Sequence, residues 1–313
     1  MTASTLKMIA LLTMFIDHTA VIFEPMLLGG PSTSTWYYVL RSLGRVAFSI
    51  YVFFIAEGCR RTSNIGKYVA RLALFAVVSE LPFDLALFIQ NRNLGLSDFM
   101  LFNEHQNVFL TLALGACCIW AFQFMTKGIM KYARFIPCLA CIALGDLLRT
   151  DYGSMGVLFI FLLYMAPELR MSVTKHKSRP PQYMPSGLDD NGFQVGAARS
   201  DNTLKSNSVA FTRGDRIWQI ILLFLMEFYF NIISWIRWES IPLMAEYGII
   251  DVVLPRYAIM LMSGACLSYV MLAFYNGRKG KGSTFLKWFF YIAYPGHLII
   301  LFVIKYLYVW PNS

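Results

Sequence analysis

Long apolar runs separated by short polar gaps are the feature that most restricts how this chain can fold. A transmembrane helix needs about 20 mainly apolar residues. Charged residues make up only 14% of the chain, against about 25% in soluble proteins, because lipid excludes charge. The predicted spans are residues 6–27, 45–62, 67–89, 107–126, 132–148, 153–168, 216–236, 256–275 and 285–309. The sequence therefore predicts an all-α, polytopic membrane helix bundle of about nine transmembrane helices.

Lysine and arginine are unevenly distributed among the polar gaps. If the N-terminus is cytoplasmic, 20 of the 27 Lys and Arg residues lie on the cytoplasmic side. This asymmetry follows the positive-inside rule, so the net charge of +9 indicates membrane orientation, and we expect no nucleic-acid partner. We predict a multi-pass protein of the plasma (bacterial inner) membrane, with a cytoplasmic N-terminus and membrane lipids as partners.

Residues 169–215 differ in composition from the rest of the chain. They are rich in Ser, Asn, Gly, Pro and basic residues, and such a segment cannot bury a core. We predict a disordered, basic cytoplasmic loop that divides one membrane domain into a six-helix segment, 1–168, and a three-helix segment, 216–313. The shorter stretch 241–254 is bounded by Pro242 and Pro255. Prolines at both ends argue against a full span and favour a short re-entrant or interfacial helix.

The cysteines and nucleotide-binding motifs give no sign of a metal or ATP site. The six cysteines lie in or beside apolar runs and lack the paired spacing of a zinc site. We expect small packing residues and no metal. No Walker or dinucleotide-binding motif is present, which argues against an ATP-driven activity.

Asp17 and His18 are ionisable residues inside the first predicted span, where burial of a polar group is costly and indicates function. Adjacent helical residues diverge by about 100°, so we expect Asp17 to have another partner while His18 points into the bundle. Histidine suits proton transfer near neutral pH. The alternative is a hydrogen-bonded packing histidine.

His297 lies midway along the last span, in the sequence Tyr294-Pro295-Gly296-His297. Pro295 removes a backbone donor and Gly296 permits close approach, so we predict a kinked or broken helix. Broken helices at membrane depth line cavities, which makes His297 a second catalytic candidate. A capped kink is the alternative.

Further charged residues flank the second and third spans. Arg45 and Glu57 lie near opposite ends of the second span, and Glu80 and Asp84 share one face of the third. Arg45 lies at a depth similar to the two acids, so we expect an ion pair with one of them, unless Arg45 extends towards the membrane surface.

Two polar residues mark helix ends on the predicted outer side. Asn107 opens the fourth span, and its side chain is as well suited to cap the helix as to bind a ligand. Asp146 ends the fifth span. Together with Glu80 and Asp84, they predict an outward-facing polar vestibule, with His18 and His297 deeper.

These motifs together resemble one family. The chain resembles the TraX family of membrane proteins, and the resemblance spans nearly the whole chain except 169–215. It is carried by Leu6-Lys7-Met8-Ile9-Ala10, Thr13-Met14-Phe15-Ile16-Asp17-His18, Gly44-Arg45-Val46-Ala47-Phe48, Ile55-Ala56-Glu57-Gly58, Ser79-Glu80-Leu81-Pro82-Phe83-Asp84, Asn107-Val108-Phe109, Tyr152-Gly153 and Tyr294-Pro295-Gly296-His297.

The resemblance implies a membrane acyltransferase that uses acetyl-CoA, since the founding TraX acetylates the N-terminus of the conjugative pilin. It implies His18 as general base or acyl-relay residue, with Asp17 and His297 completing the catalytic set. The acceptor would be an amine or hydroxyl of a protein, glycan or lipid. The implied substrate-binding residues are Arg45, Glu57, Glu80, Asp84, Asn107, Asp146, Arg60 and Arg61. Arg45 or a helix N-terminus would serve as electrophile. Arg60, Arg61 and Arg71 would bind phosphates, although positive-inside topology equally explains these cytoplasmic arginines.

Two other functions are compatible with the same residues. A proton-coupled secondary transporter would use Asp17, His18 and Glu227 as a relay, although the sequence shows no internal repeat. A structural or assembly factor is the third possibility.

Overall fold

The predicted helices are present. The computed structural model describes residues 1–27, 35–88, 105–125, 130–174, 213–235, 256–278, 280 and 284–308. It contains α1 (Ala3–Leu27), α2 (Thr35–Arg61), α3 (Ile65–Phe88), α4 (Val108–Phe124), α5 (Met130–Ala133), α6 (Phe135–Leu147), α7 (Gly153–Thr174), α8 (Arg213–Trp235), α9 (Arg256–Ala273) and α10 (Thr284–Tyr308). Each predicted span corresponds to one helix, α5 being an additional single turn. These ranges contain no β-strand, so the all-α prediction is confirmed.

Two predicted segments fall largely or wholly outside the described residues. The predicted loop begins at 169, but α7 continues to Thr174 and α8 begins at Arg213. The remainder of that loop lies outside the described residues, as does the whole stretch 241–254.

The second helix is the centre of the bundle. It packs against α1, α4, α7 and α9, and 67% of its most apolar segment is buried, compared with 33% for α1 and for α10. Glycine permits two of these close approaches: Gly264 of α9 lies against the backbone carbonyl of Ser42, and Gly44 lies against the side chain of Asp17. The α1 and α9 helices are thus anchored on α2, whereas α10 packs against α1 and α3.

The outer surface of the bundle is apolar. Large hydrophobic side chains are exposed on α3, α6, α8 and α10, among them Leu74, Val77, Ile136, Leu139, Ile221, Leu225, Ile300 and Leu307. Extended apolar surface is rare on soluble proteins. Three helical segments are long and apolar enough to cross a membrane: Ala3–Phe23, Val39–Arg61 and Thr284–Leu307. The chain is a helical membrane protein.

The polar segment that follows α9 joins several helix ends. The N–H of Ala3 donates to the carbonyl of Arg278 at 3.0 Å, and Arg61, at the end of α2, donates to the carbonyl of Gly277 at 3.2 Å. The start of α1, the end of α2 and the end of α9 therefore lie on one side of the bundle. This is the side that the charge distribution predicts to be cytoplasmic.

Of the kink or break predicted at Pro295, the break is wrong. The α10 helix is continuous from Thr284 to Tyr308, because a single missing N–H leaves the flanking helical hydrogen bonds in place. The close approach expected at Gly296 is also wrong, since no side chain or neighbouring helix of the described chain comes within 4 Å of the position its Cβ would occupy.

Candidate active site

His18 and His297 form a hydrogen-bonded pair where α1 packs against α10. The Nδ1 atom of His18 lies 2.6 Å from the Nε2 atom of His297. The rings are nearly parallel, at 4°, with centroids 4.9 Å apart. His18 is half-buried and His297 is buried. Two of the three residues predicted to be catalytic are thus brought together across 279 residues of sequence.

The hydrogen bonds of the pair assign both tautomers. The Nδ1 atom of His297 lies 3.0 Å from the carbonyl of Ala293, and a carbonyl only accepts, so this nitrogen carries the proton. The Nε2 atom of neutral His297 must then accept from the Nδ1–H of His18. The Nε2 atom of His18 is left with a lone pair and has no hydrogen-bond partner within the described chain.

Asp17 has a different partner, as predicted. One guanidinium nitrogen of Arg41 lies 2.8 Å from both carboxylate oxygens of Asp17. The Asp17 side chain also contacts Gly44. Asp17 therefore joins α1 to α2 and does not orient the imidazole of His18.

Arg45 does not form the predicted ion pair with Glu80 or Asp84 in the described chain. Its guanidinium instead lies 5.9 Å from the centre of the Tyr152 ring and within electrostatic range of Asp17. The correction has a geometric reason: similar depth in the membrane does not fix the direction in which a side chain leaves its helix.

Glu80, Asn107 and Asp146 make the contacts of structural residues. The Oδ1 atom of Asn107 accepts the N–H of Phe109 at 3.0 Å and caps α4, while its amide donates to the carboxylate of Glu80. Asp146 accepts the N–H of Ser154 at 2.6 Å at the start of α7. Of the two interpretations of Asn107, the structure shows the helix cap. Asp84 is half-buried one turn beyond Glu80.

A cavity of about 590 Å³ opens beside the segment that follows α9. Its polar wall contains four basic side chains and one carboxylate, namely Lys7, Arg61, Arg71, Lys287 and Glu57. Arg61 lies 2.6 Å from Glu57, which also accepts a hydrogen bond from Tyr275 at 3.1 Å. Four cations against one anion favour an anionic ligand at this end.

The inner end of the cavity is apolar and ends one layer of side chains short of the histidine pair. Met14, Phe109 and Tyr294 line it, and His18 follows Met14 by one helical turn on α1. The Tyr294 ring centroid lies 6.1 Å from that of His18 and 5.5 Å from that of His297. The cavity thus leads from a basic mouth to Tyr294, whose ring separates it from the two imidazoles.

The structure separates the two neighbouring arginines that were predicted to bind phosphate. Arg61 lines the cavity with Glu57, whereas Arg60 donates to the backbone carbonyls of Leu163, at 3.0 Å, and Tyr164. Arg60 therefore fastens α2 to α7. The adjacent positions point in different directions because they are about 100° apart around the helix.

Two lysines of the cavity mouth were not predicted as site residues. Lys7 and Lys287 had been counted only as cytoplasmic charges. For Lys7 a signal was available: it precedes His18 by 11 residues, close to three helical turns, so the two share a face of α1. On α10, Lys287 and Tyr294 are seven residues apart and share a face for the same reason.

Comparison with known proteins shows the family of the chain. The family described as TraX protein matches residues 2–177, more than half of the sequence. The chain belongs to the TraX family. It is also 34% identical over 113 residues to a probable fimbrial assembly protein, FimC of serogroup H1, from Dichelobacter nodosus. That alignment covers 36% of this chain and 43% of the relative, so the chain spans less than half of that protein's length. No solved structure matches.

The TraX-matched region and the remainder of the chain both contribute to the site. Residues 2–177 include α1 to α7 and supply His18, Lys7 and Arg61. His297 and Lys287 come from α10, beyond the matched region. The histidine pair therefore depends on contacts between the TraX-matched region and the C-terminal helices.

Proposed function

We propose that this TraX-family protein is a membrane-embedded acyltransferase that transfers an acetyl group from acetyl-CoA to an amine or hydroxyl of an acceptor. One observation carries the proposal: the hydrogen-bond chain from Ala293 through His297 leaves the Nε2 lone pair of His18 unpartnered beyond the inner end of a basic-mouthed cavity. A nucleophile or base oriented by a second group, beside a substrate cavity, is the arrangement of general-base catalysis.

The cavity suits an elongated, anionic donor. Acetyl-CoA supplies an acetyl thioester at the end of a long, weakly polar arm that begins at phosphate groups. Lys7, Arg61 and Lys287 would hold the phosphates through charge-assisted hydrogen bonds, and the arm would lie along the apolar wall. With the N-terminus in the cytoplasm of a bacterium, in a multi-pass inner-membrane protein, the mouth faces the compartment that contains acetyl-CoA.

His18 moves one proton during transfer. As the acceptor nitrogen or oxygen bonds to the acyl carbon, His18 Nε2 takes its proton. The resulting imidazolium donates through Nδ1–H to His297, whose own Nδ1–H is held by Ala293. When the carbon–sulfur bond breaks, its electron pair remains on sulfur, which receives the proton from His18. The products are the acetylated acceptor and free CoA, and His18 is neutral again.

A protein of pilus assembly is the acceptor favoured by the relatives. The founding TraX acetylates a pilin N-terminus, although acceptors differ among family members, and the similar Dichelobacter nodosus protein is named a probable fimbrial assembly protein. An envelope glycan or lipid is the alternative acceptor. Either would present an amine or hydroxyl to the same base.

The transporter alternative receives less support from the geometry. A proton relay requires carboxylates that exchange protons readily. Both carboxylate oxygens of Glu227 accept hydrogen bonds, one from Ser49 and one from Tyr269, and Asp17 is paired with Arg41. These contacts hold the two acids in structural networks.

Acetyl transfer can be measured directly on purified protein. The protein in lipid nanodiscs is incubated with radiolabelled acetyl-CoA and a membrane extract from the same source, and incorporated label is counted. We expect labelling by the wild type, loss by about 10²–10⁴-fold in His18→Ala, and no change in His105→Ala, which alters an exposed histidine outside the cavity. Undiminished labelling by His18→Ala would refute the assigned base. Absence of both labelling and acetyl-CoA binding in the wild type would refute the acyltransferase.

A further inference from the structure

We propose that Tyr294 is a catalytic residue whose hydroxyl donates a hydrogen bond to the carbonyl oxygen of the donor thioester and stabilises the oxyanion formed during transfer. The inference rests on the proposed acyltransferase function and deepens it by assigning the electrophilic group. Arg45, one of the two electrophiles expected from the sequence (the other being a helix N-terminus), contacts Tyr152 and lies within electrostatic range of Asp17, away from the histidine pair.

The Tyr294 hydroxyl is buried, and its proton has no acceptor in the described part of the chain. The side chain is 3% exposed, and no described group meets its oxygen with good hydrogen-bond geometry. The backbone N–H of Val108 lies near that oxygen, but an N–H only donates, so the O–H of Tyr294 stays available as a donor. Buried tyrosine hydroxyls usually find a partner, because an unsatisfied one costs about 1–3 kcal/mol. The side chain of Tyr294 lines the cavity, so its unused donor lies beside a space that a ligand can enter.

The position of Tyr294 relative to the histidine pair suits this role. Its ring packs edge-on against both imidazoles, with centroids 6.1 Å from His18 and 5.5 Å from His297. A base and an oxyanion donor must flank the same reacting carbon. Tyr275, another tyrosine of the cavity, lies in the segment after α9, donates to Glu57 at the basic mouth and is therefore already engaged.

The chemistry balances without proton transfer from tyrosine. As the acceptor attacks the acyl carbon and His18 takes its proton, the electron pair of the carbonyl double bond moves to oxygen. The Tyr294 O–H donates to that oxyanion and keeps its proton. When the double bond re-forms, the carbon–sulfur bond breaks, and the leaving sulfur receives the proton held by His18.

Tyr294→Phe removes the donor and keeps the ring. Loss of one oxyanion donor lowers kcat by about 10²–10³-fold, and we expect that loss with the KM for acetyl-CoA nearly unchanged, because the phosphates bind at the mouth. The matched control is Tyr306→Phe on the same helix, at an exposed position outside the cavity, which should retain the wild-type kcat. Retained acetyl-CoA binding shows that Tyr294→Phe is folded.

A spectroscopic measurement tests the contact without turnover. In the His18→Ala background, bound acetyl-CoA carrying a ¹³C carbonyl is examined by isotope-edited infrared spectroscopy. A carbonyl stretch at lower frequency than in the His18→Ala/Tyr294→Phe double variant supports the hydrogen bond. Equal frequencies, or a wild-type kcat in Tyr294→Phe, would overturn the role of Tyr294 while leaving acetyl transfer established. Failure of the wild type to transfer acetyl would instead overturn the underlying function.

Discussion

Replacing His297 with leucine tests whether this residue acts through His18. Leucine cannot accept the proton of His18 Nδ1, which lies 2.6 Å from His297 Nε2 in the wild type. Without that acceptor the imidazole of His18 is free to place its proton on Nε2, and such a tautomer cannot serve as base. We expect reduced kcat in His297→Leu and much smaller effects in His297→Gln, since the glutamine carbonyl can accept the same proton.

The magnitude follows from the charge on His18 during transfer. The bond from His18 to His297 becomes charge-assisted once His18 is protonated, and such bonds contribute about 1.5–3 kcal/mol. At about 1.4 kcal/mol per factor of ten, kcat should fall about 10- to 150-fold. The unsatisfied donor should also lower the free energy of unfolding by about 1–3 kcal/mol.

The assay is a double-mutant cycle on kcat for acetyl transfer. Because His297 is a positioning residue, His297→Leu should have no further effect in the His18→Ala background. Thermal unfolding in detergent, followed in parallel, separates loss of fold from loss of orientation. A full 10-fold or larger additional loss in the His18→Ala background would refute the argument that His297 acts through His18.

Three further substitutions test the mouth, a cap and the helix packing. Arg61→Ala should raise the KM for acetyl-CoA by about tenfold at unchanged kcat, since one charge-assisted bond is lost. Arg60→Ala should leave the KM unchanged. Equal KM values for the two variants in steady-state kinetics would contradict the assignment of Arg61 to the cavity mouth. Asn107→Ala should lower the free energy of unfolding by about 2–4 kcal/mol, through loss of a cap and of the donor to a buried carboxylate on α3, and denaturant titration that shows no loss would contradict this. Gly264→Ala should destabilise the fold by about 1–3 kcal/mol because its Cβ meets a backbone carbonyl of α2. Gly296→Ala should be tolerated because no neighbour is close. Thermal unfolding of the two variants should therefore show a lower midpoint for Gly264→Ala only.

Hydropathy and helical geometry predicted the elements and part of the site. Most span ends were found within three residues because lipid imposes a length and a composition on each helix. The exceptions are the start of α2, at Thr35 and not 45, and the end of α7, at Thr174 and not 168. The divergence of Asp17 and His18 followed from the 100° step of a helix. Charge asymmetry grouped the ends of α1 and α2 on one side, and this grouping placed Arg61 near the cavity mouth.

The rotation of each helix about its own axis could not be predicted from the sequence. Arg45 and Glu80 were assigned similar depth, yet the partner of each depends on which neighbour its helix face meets. The same limitation hid the pairing of His18 with His297, since no periodicity relates residues on α1 and α10 that are 279 positions apart. Pro295 misled the prediction because a missing N–H does not by itself break a helix supported by neighbouring turns.

The α1 helix connects the mouth, wall and base of the proposed site along one face. Lys7, Met14 and His18 are separated by seven and four residues, so all three lie on one stripe of the helix. The first and last are about 16 Å apart along its axis at about 1.5 Å per residue. A rigid helix therefore fixes the distance between the proposed phosphate-binding cation and the proposed base. Under the proposed function, a donor with its anionic group at one end and its acyl group at the other would be selected by length as well as by charge, which favours an elongated acyl thioester over a compact metabolite.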